Sequence, residues 1–229
     1  MSYRITGTGS CIPDITKKNS DFLKNKFLDI DGGKFQSSNS EIIEKFNSIT
    51  GISERRYAPD EINSSDLAAV AAGIAINDSK LDQETLDYII VAHNTGDISC
   101  SSGQVDTLPS IASRVKAKLK IKNPNCVAYD IICGCPGWVE GIIQAKSFIK
   151  SGMAKKCLVI ACDTLSRILD ENDRDSMIYS DGSGAIVLES DSSYDGGILS
   201  HKSATFTYEG ENDYIFYGSS YDTNKRTKS

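Results

Sequence analysis

Cys135 sits in the run Asp130-Ile131-Ile132-Cys133-Gly134-Cys135-Pro136-Gly137. Pro136 suits the first turn of a helix, where its missing N–H has no partner to lose. After it, Trp138, Val139, Ile142, Ile143, Ala145, Phe148 and Ile149 recur at helical spacing. A thiol just ahead of a helix start meets unpaired N–H groups and the positive end of the helix dipole. Those groups favour thiolate over thiol. They can also hold the oxyanion of a thioester intermediate. Cys135 is therefore read as an acyl-accepting nucleophile.

Other residues also bear chemically capable groups. Cys133 and Cys135 form a C-x-C pair, but no second pair of ligands stands at a metal-site spacing. Cys133 is instead expected in a pocket or the core, and Cys126, Cys157 and Cys162 read as small core residues. His93, at the end of an apolar run, is expected to be a satisfied structural histidine. Asp181-Gly182-Ser183-Gly184 lacks the Lys and the spacing of a phosphate loop, which leaves a sharp structural turn. Arg55 and Arg56 read equally as solvated charges or as contacts to a bound partner.

These residues need a scaffold. Val127–Ile132 is apolar with β-branched residues and is expected as a buried strand leading to Cys135. Further strands are expected at Tyr3–Gly9, Leu86–His93, Lys156–Asp163 and after the turn at residues 180–184, with one more at Gly196–His201. Helices are expected around Phe22, Leu23 and Phe27, at Glu41–Asn47, at Ser64–Asn77 and after Pro109. The Ser64–Asn77 helix, capped by Ser64 or Ser65, has a wide apolar face: Leu67, Ala68, Val70, Ala71, Ile74 and Ala75. Asp29–Ser40 and Asn94–Leu108 read as loops, and the chain from Glu209 onward shows no packing pattern. Strands alternate with helices, and the strands are apolar throughout. That predicts an α/β fold, with helices on both faces of the sheet.

Composition limits the options. In 229 residues, 39% are hydrophobic and 24% charged, the balance of a globular protein with a sizeable core. A net charge of −6 disfavours nucleic acid or an anionic membrane as partner. The opening MSYRITGTGS has neither the basic nor the apolar region of a signal peptide. No apolar run reaches the ~20 residues of a membrane span. An odd count of seven cysteines, mostly in apolar stretches, fits a reducing cytoplasm.

Five segments in order carry a resemblance to a known family. They are Ile5-Thr6-Gly7-Thr8-Gly9-Ser10 with Pro13; Thr50-Gly51-Ile52 with Glu54-Arg55-Arg56; and Leu108-Pro109-Ser110-Ile111-Ala112. The nucleophile turn from Asp130 to Gly137 follows, then Asp173-Arg174 with Asp181-Gly182-Ser183-Gly184-Ala185. Together they resemble the N-terminal half of a beta-ketoacyl-acyl-carrier-protein synthase III, in the thiolase-like superfamily. The resemblance spans roughly residues 3 to 190 and places Cys135 on the family's nucleophile.

The resemblance implies a thiolase-like α/β fold whose N-terminal half holds a mixed five-stranded sheet. It implies an acyltransferase of fatty acid biosynthesis and lipid metabolism. An acyl thioester of CoA or acyl carrier protein would acylate Cys135, and malonyl-acyl-carrier-protein would lose carbon dioxide and attack the acyl-enzyme. No cofactor is implied beyond substrates carried as CoA or phosphopantetheine thioesters, and no metal. The implied partners are acyl carrier protein and a second copy of the chain, joined through the strand leading to Cys135, with no nucleic acid or membrane.

The sequence departs from the family in two respects. The His and Asn that serve the decarboxylation lie in the family's C-terminal half, and neither His93 nor His201 is carried over. The chain thus reads as residues 1–190 of thiolase-like domain plus a connection at 191–229, truncated and inactive alone. Lys45 and Ile49 stand where CoA-primed members carry Trp and Arg, which turns the reading toward a carrier-protein-borne or unusual acyl donor. Two alternatives stay open: another thiolase-type acyl transfer at the same cysteine, and a non-catalytic binding or dimerisation half-domain.

Overall fold

The computed structural model describes residues 2–210 and 221–222. In chain order the elements are β1 (Tyr3–Cys11), β2 (Ile15–Lys18), α1 (Asn39–Thr50), β3 (Glu54–Tyr57), α2 (Ser64–Ser79) and β4 (Tyr88–His93). They continue with β5 (Asp97–Ile98), β6 (Val105–Asp106), α3 (Ile111–Lys118), β7 (Val127–Ile132), α4 (Gly137–Ser151), β8 (Lys156–Asp163) and β9 (Gly182–Ser190). The chain divides into two compact units. One holds Met1–Thr16, Arg56–Arg167 and Ser180–Leu199; the other holds Lys17–Arg55, Ile168–Tyr179 and the described residues after Leu199.

The first unit is built on a mixed five-stranded sheet in the order β1-β9-β8-β4-β7. β4 runs parallel to both β7 and β8, whereas β9 runs antiparallel to β8 and to β1. Side chains alternate across a strand. In β8, Leu158 and Ile160 therefore join α2 and α3 on one face, and Cys157 and Val159 join α4 on the other. The expected α/β fold, a mixed sheet with helices on both faces, is the fold observed.

Small residues set the closest contact. α2 buries Ala68, Ala71, Ala72 and Ala75 against the sheet. A Cβ on Gly7 of β1 would lie 2.1 Å from Ala75 O, and one on Gly9 would lie 2.1 Å from Ala71 O. Only glycine allows the helix backbone so near the strand. The buried face of α2 is narrower than its spacing suggests: Val70 and Ile74 are exposed. Its cap is Asn63, one residue earlier than expected, in a capping box with Asp66.

Several other expectations are corrected. β7 is an edge strand bonded to β4, so Val127 and Ile132 are exposed rather than buried. Gly196–His201 contains no strand; the Ile198 N–H donates to the Tyr3 hydroxyl at 2.9 Å. The loop at Asn94–Leu108 holds the short β5–β6 ladder. β9 begins at Gly182, within the predicted turn, because Asp181 is buried and anchored. Its carboxylate accepts from Ala58 N (2.8 Å), Ser166 N (2.9 Å) and Ser166 Oγ (2.6 Å).

In the second unit, Phe22, Phe27, Ile42 and Met177 form the apolar cluster. The helix expected around Phe22 is only a 3-10 turn, Asn19–Phe22. α1 is longer than its apolar spacing predicted. Ser38 and Glu41 cap it reciprocally, and Gly51 ends it in a left-handed conformation. Of the stretch from Glu209 onward, only residues 209–210 and 221–222 are described.

Candidate active site

Three parallel strands end at one edge of the sheet, β4 at His93, β7 at Ile132 and β8 at Asp163. The carboxyl ends of parallel strands are where open α/β sheets place ligands. Here the chain leaves β7 through Cys133, Gly134 and Cys135 and enters α4 at Gly137. Gly134 takes φ +62°, a left-handed conformation that favours glycine. Gly137 N–H donates to Gly134 O at 3.0 Å and closes the bend. Pro136 is the N-cap of the 15-residue α4.

Cys135 is exposed, one residue before that cap. It stands at the amino end of a helix, where the helix dipole and free backbone N–H groups favour a developing oxyanion. Cys133 is exposed too, so of its two expected places, a pocket or the core, the core is ruled out. It falls just past the end of an edge strand. Cys126, Cys157 and Cys162 are buried, as their apolar surroundings predict. Burial pushes the Cys157 thiol up to about 12, and Cys162 is raised well above the usual thiol range for the same reason. Those sulfurs are protonated near neutral pH.

Asp130, five residues before Cys135, supports this bend. Its carboxylate accepts from Ile111 N at 2.7 Å and Ala112 N at 2.8 Å, at the start of α3. His93 Nε2 lies 3.0 Å from Asp130 Oδ2, and Gly96 N–H donates to His93 Nδ1 at 2.9 Å. The neutral imidazole thus carries its proton on Nε2 and donates it to Asp130. With both ring nitrogens bonded and its side chain fully buried, His93 is built into the scaffold. His201 is exposed and outside any strand.

Two neighbours escaped notice in the sequence. Asn94 donates its backbone N–H to Asp163 Oδ1 (2.9 Å) and its amide to Asp163 Oδ2 (2.6 Å). Asn94 Oδ1 lies 3.6 Å from where a Cβ on Gly134 would sit. Burial is the largest influence on Asp163 and raises its pKa, although the two Asn94 bonds oppose it. The available signal was position: both are polar residues at the ends of apolar strands.

Arg55 and Arg56 fall in different units. Arg55 is buried, and its guanidinium donates to Met177 O (3.0 Å), Lys17 O (3.0 Å) and Asn19 Oδ1 (2.6 Å). It also lies over the Phe22 ring, 5.0 Å from the centroid. Arg56 is half-buried, and its carbonyl accepts from Asp181 N at 2.8 Å. In the second unit, Phe35, Ile42, Lys45, Phe46, Ile49 and Arg174 line a cavity of about 400 Å³. Arg174 lies over the Phe35 ring at 4.9 Å. Among the described residues no cluster of His, Cys, Asp or Glu could hold a metal ion, and no helix is long and apolar enough to cross a membrane.

Comparison with known proteins fits this geometry. Residues 129–206 match the family model of 3-oxoacyl-[acyl-carrier-protein] synthase III. A beta-ketoacyl-[acyl-carrier-protein] synthase III of Neisseria gonorrhoeae is 39% identical over 190 residues, 82% of this chain and 52% of the relative. One from Ehrlichia ruminantium is 36% identical over 200 residues, 87% of this chain and 56% of the relative. The crystal structure of the Aquifex aeolicus 3-oxoacyl-[acyl-carrier-protein] synthase III aligns with a TM-score of 0.66 at 32% identity. It covers 83% of this chain and 55% of that one. The Pseudomonas aeruginosa enzyme aligns at 0.69 and 29% identity, covering 87% and 54%. The chain spans about half the length of the relatives it matches.

Proposed function

We propose that this chain, a relative of the beta-ketoacyl-acyl-carrier-protein synthase III enzymes over about half their length, carries the acyl-accepting half of a condensing site. Cys135 is the nucleophile. One observation supports this most: an exposed cysteine on a constrained bend at the amino end of α4, in the span the family model matches. The thiolate attacks the thioester carbonyl, its oxyanion forms beside the helix start, and the donor thiol leaves with an acyl-Cys135 remaining.

Condensation with malonyl-acyl-carrier-protein then needs donors for the enolate oxygen formed as carbon dioxide leaves. In this reading those donors act together with the present chain and are not His93, whose nitrogens are committed to Asp130 and Gly96. The phosphopantetheine carrier is read as the donor's handle. Arg55 serves its own unit's fold, which leaves Arg56 as the phosphate contact of the pair. Pairing of two copies through the open edge of β7, with exposed Val127 and Ile132, completes the proposed assembly. The site of action is the cytoplasm.

The test is acylation. The full chain is incubated with acyl-CoA or acyl-acyl-carrier-protein, digested and examined by mass spectrometry. One acyl group on Cys135, absent from Cys135→Ala, is expected. Acylation on another cysteine, or none with either donor, overturns the reading. Light scattering checks the dimer: Val127→Lys should shift the protein to a monomer, and a wild-type monomer overturns the pairing.

A further inference from the structure

We propose that Cys133 and Cys135 form an oxidative modification site, in which Cys133 captures a sulfenic acid on Cys135 as a reversible disulfide. The proposal rests on Cys135 being the reactive thiol.

Both sulfurs belong to one bend and both residues are exposed. Cys133 Cβ lies 3.4 Å from where a Cβ on Gly137 would sit, so its side chain starts at the first residue of α4. Consecutive Cα atoms are about 3.8 Å apart, so the Cα atoms of Cys133 and Cys135 are at most about 7.6 Å apart. The left-handed Gly134 bends the chain between them. That bend shortens the separation toward the roughly 4.4–6.8 Å a disulfide requires. Gly134 carries no side chain to obstruct the closure.

A two-electron peroxide supplies the oxidant. The Cys135 thiolate attacks one peroxide oxygen; an S–O bond forms, the O–O bond breaks and hydroxide leaves. Sulfur is oxidised by two electrons to a sulfenic acid, and the peroxide is reduced. The Cys133 sulfur then attacks the sulfenic sulfur. An S–S bond forms, the S–O bond breaks, and the thiol proton leaves with the oxygen as water. A dithiol reductant returns both sulfurs by thiol–disulfide exchange. While the bridge lasts, Cys135 is closed to acyl groups and protected from irreversible over-oxidation.

Cys100 is a built-in control. It is also exposed, but its hydrogen bond to Asp60 pushes its thiol up from the ordinary range. It has no second cysteine within its own loop.

The experiment treats folded full chain with hydrogen peroxide at neutral pH, then alkylates with iodoacetamide and maps peptides by mass spectrometry. The peptide holding both cysteines should lose two hydrogens and take up no label. Dithiothreitol should restore labelling completely. In Cys133→Ser, an exposed and nearly isosteric change, Cys135 should progress to sulfinic and sulfonic acids instead. Iodoacetamide labelling of the reduced protein separates the two readings. Rapid labelling of Cys135 without any disulfide after peroxide overturns the pairing and leaves the nucleophile. Labelling of Cys135 no faster than of Cys100 overturns the nucleophile and the pairing together.

Discussion

His93 donates its Nε2 proton to Asp130 Oδ2 across 3.0 Å, and the same carboxylate receives the first two N–H groups of α3. β4, β7 and α3 are thus tied at a point five residues before Cys135. Asp130→Ala strands two helix N–H groups and a buried imidazole proton. Loss of about 2–4 kcal/mol of stability is expected, from a lost cap plus an unpaired buried donor. Urea unfolding measures it, and a loss under 1 kcal/mol would show that water replaces the carboxylate.

Gly134→Ala puts a side chain at φ +62°. The expected cost is about 1–2 kcal/mol. Relief of that strain would move the Cys135 sulfur relative to α4, so iodoacetamide labelling of Cys135 should slow several-fold while Cys100 is unchanged. Equal rates in the two proteins would mean that the bend does not set reactivity.

Gly9→Ala drives a Cβ into Ala71 O at the β1–α2 contact. Neither partner can yield cheaply, because both atoms in conflict belong to backbone or to Cβ. A loss of at least about 1–3 kcal/mol is expected, the range for overpacked cores. Thermal unfolding reads it as a lower Tm.

Asp66 gives a pH dependence whose sign is fixed. Burial raises its pKa, but the Lys118 ammonium at 2.6 Å and the Asn63 N–H lower it and prevail. A carboxylate with a depressed folded pKa stabilises above its unfolded value, about 3.9, and that contribution is lost as pH falls through the folded value. Lys118→Met should therefore reduce stability at pH 7 and flatten its decline below pH 4. An unchanged acid limb in a urea titration would remove Asp66 as the cause.

Much of this was readable in the residues, for stated physical reasons. Apolar runs marked β4, β8 and β9 because central strands are covered on both faces. Pro136 and the spacing behind it marked α4, and with it the place of Cys135. Cys133 and the exposure of Val127 and Ile132 could not be read. An edge strand and a central strand share one composition, and only the strand order separates them. Arg55 illustrates a second limit: its hydrogen-bond acceptors include Met177 O, more than a hundred positions away, and no local pattern reports them. The division into two units has the same cause, since residues 17–55 and 168–179 meet only in space.

β1 occupies the outer place in the sheet, and its neighbour is β9, with Tyr3 opposite Ser190. During synthesis β1 thus waits for a partner strand that runs from Ser183 to Ser190. At about 5–20 residues per second, that wait is roughly 10–40 s. During it, the glycine-lined strand has no ladder to join. A chain halted before β9 would leave an open edge ready to pair with whatever it meets, which makes β9 the latch of the whole sheet.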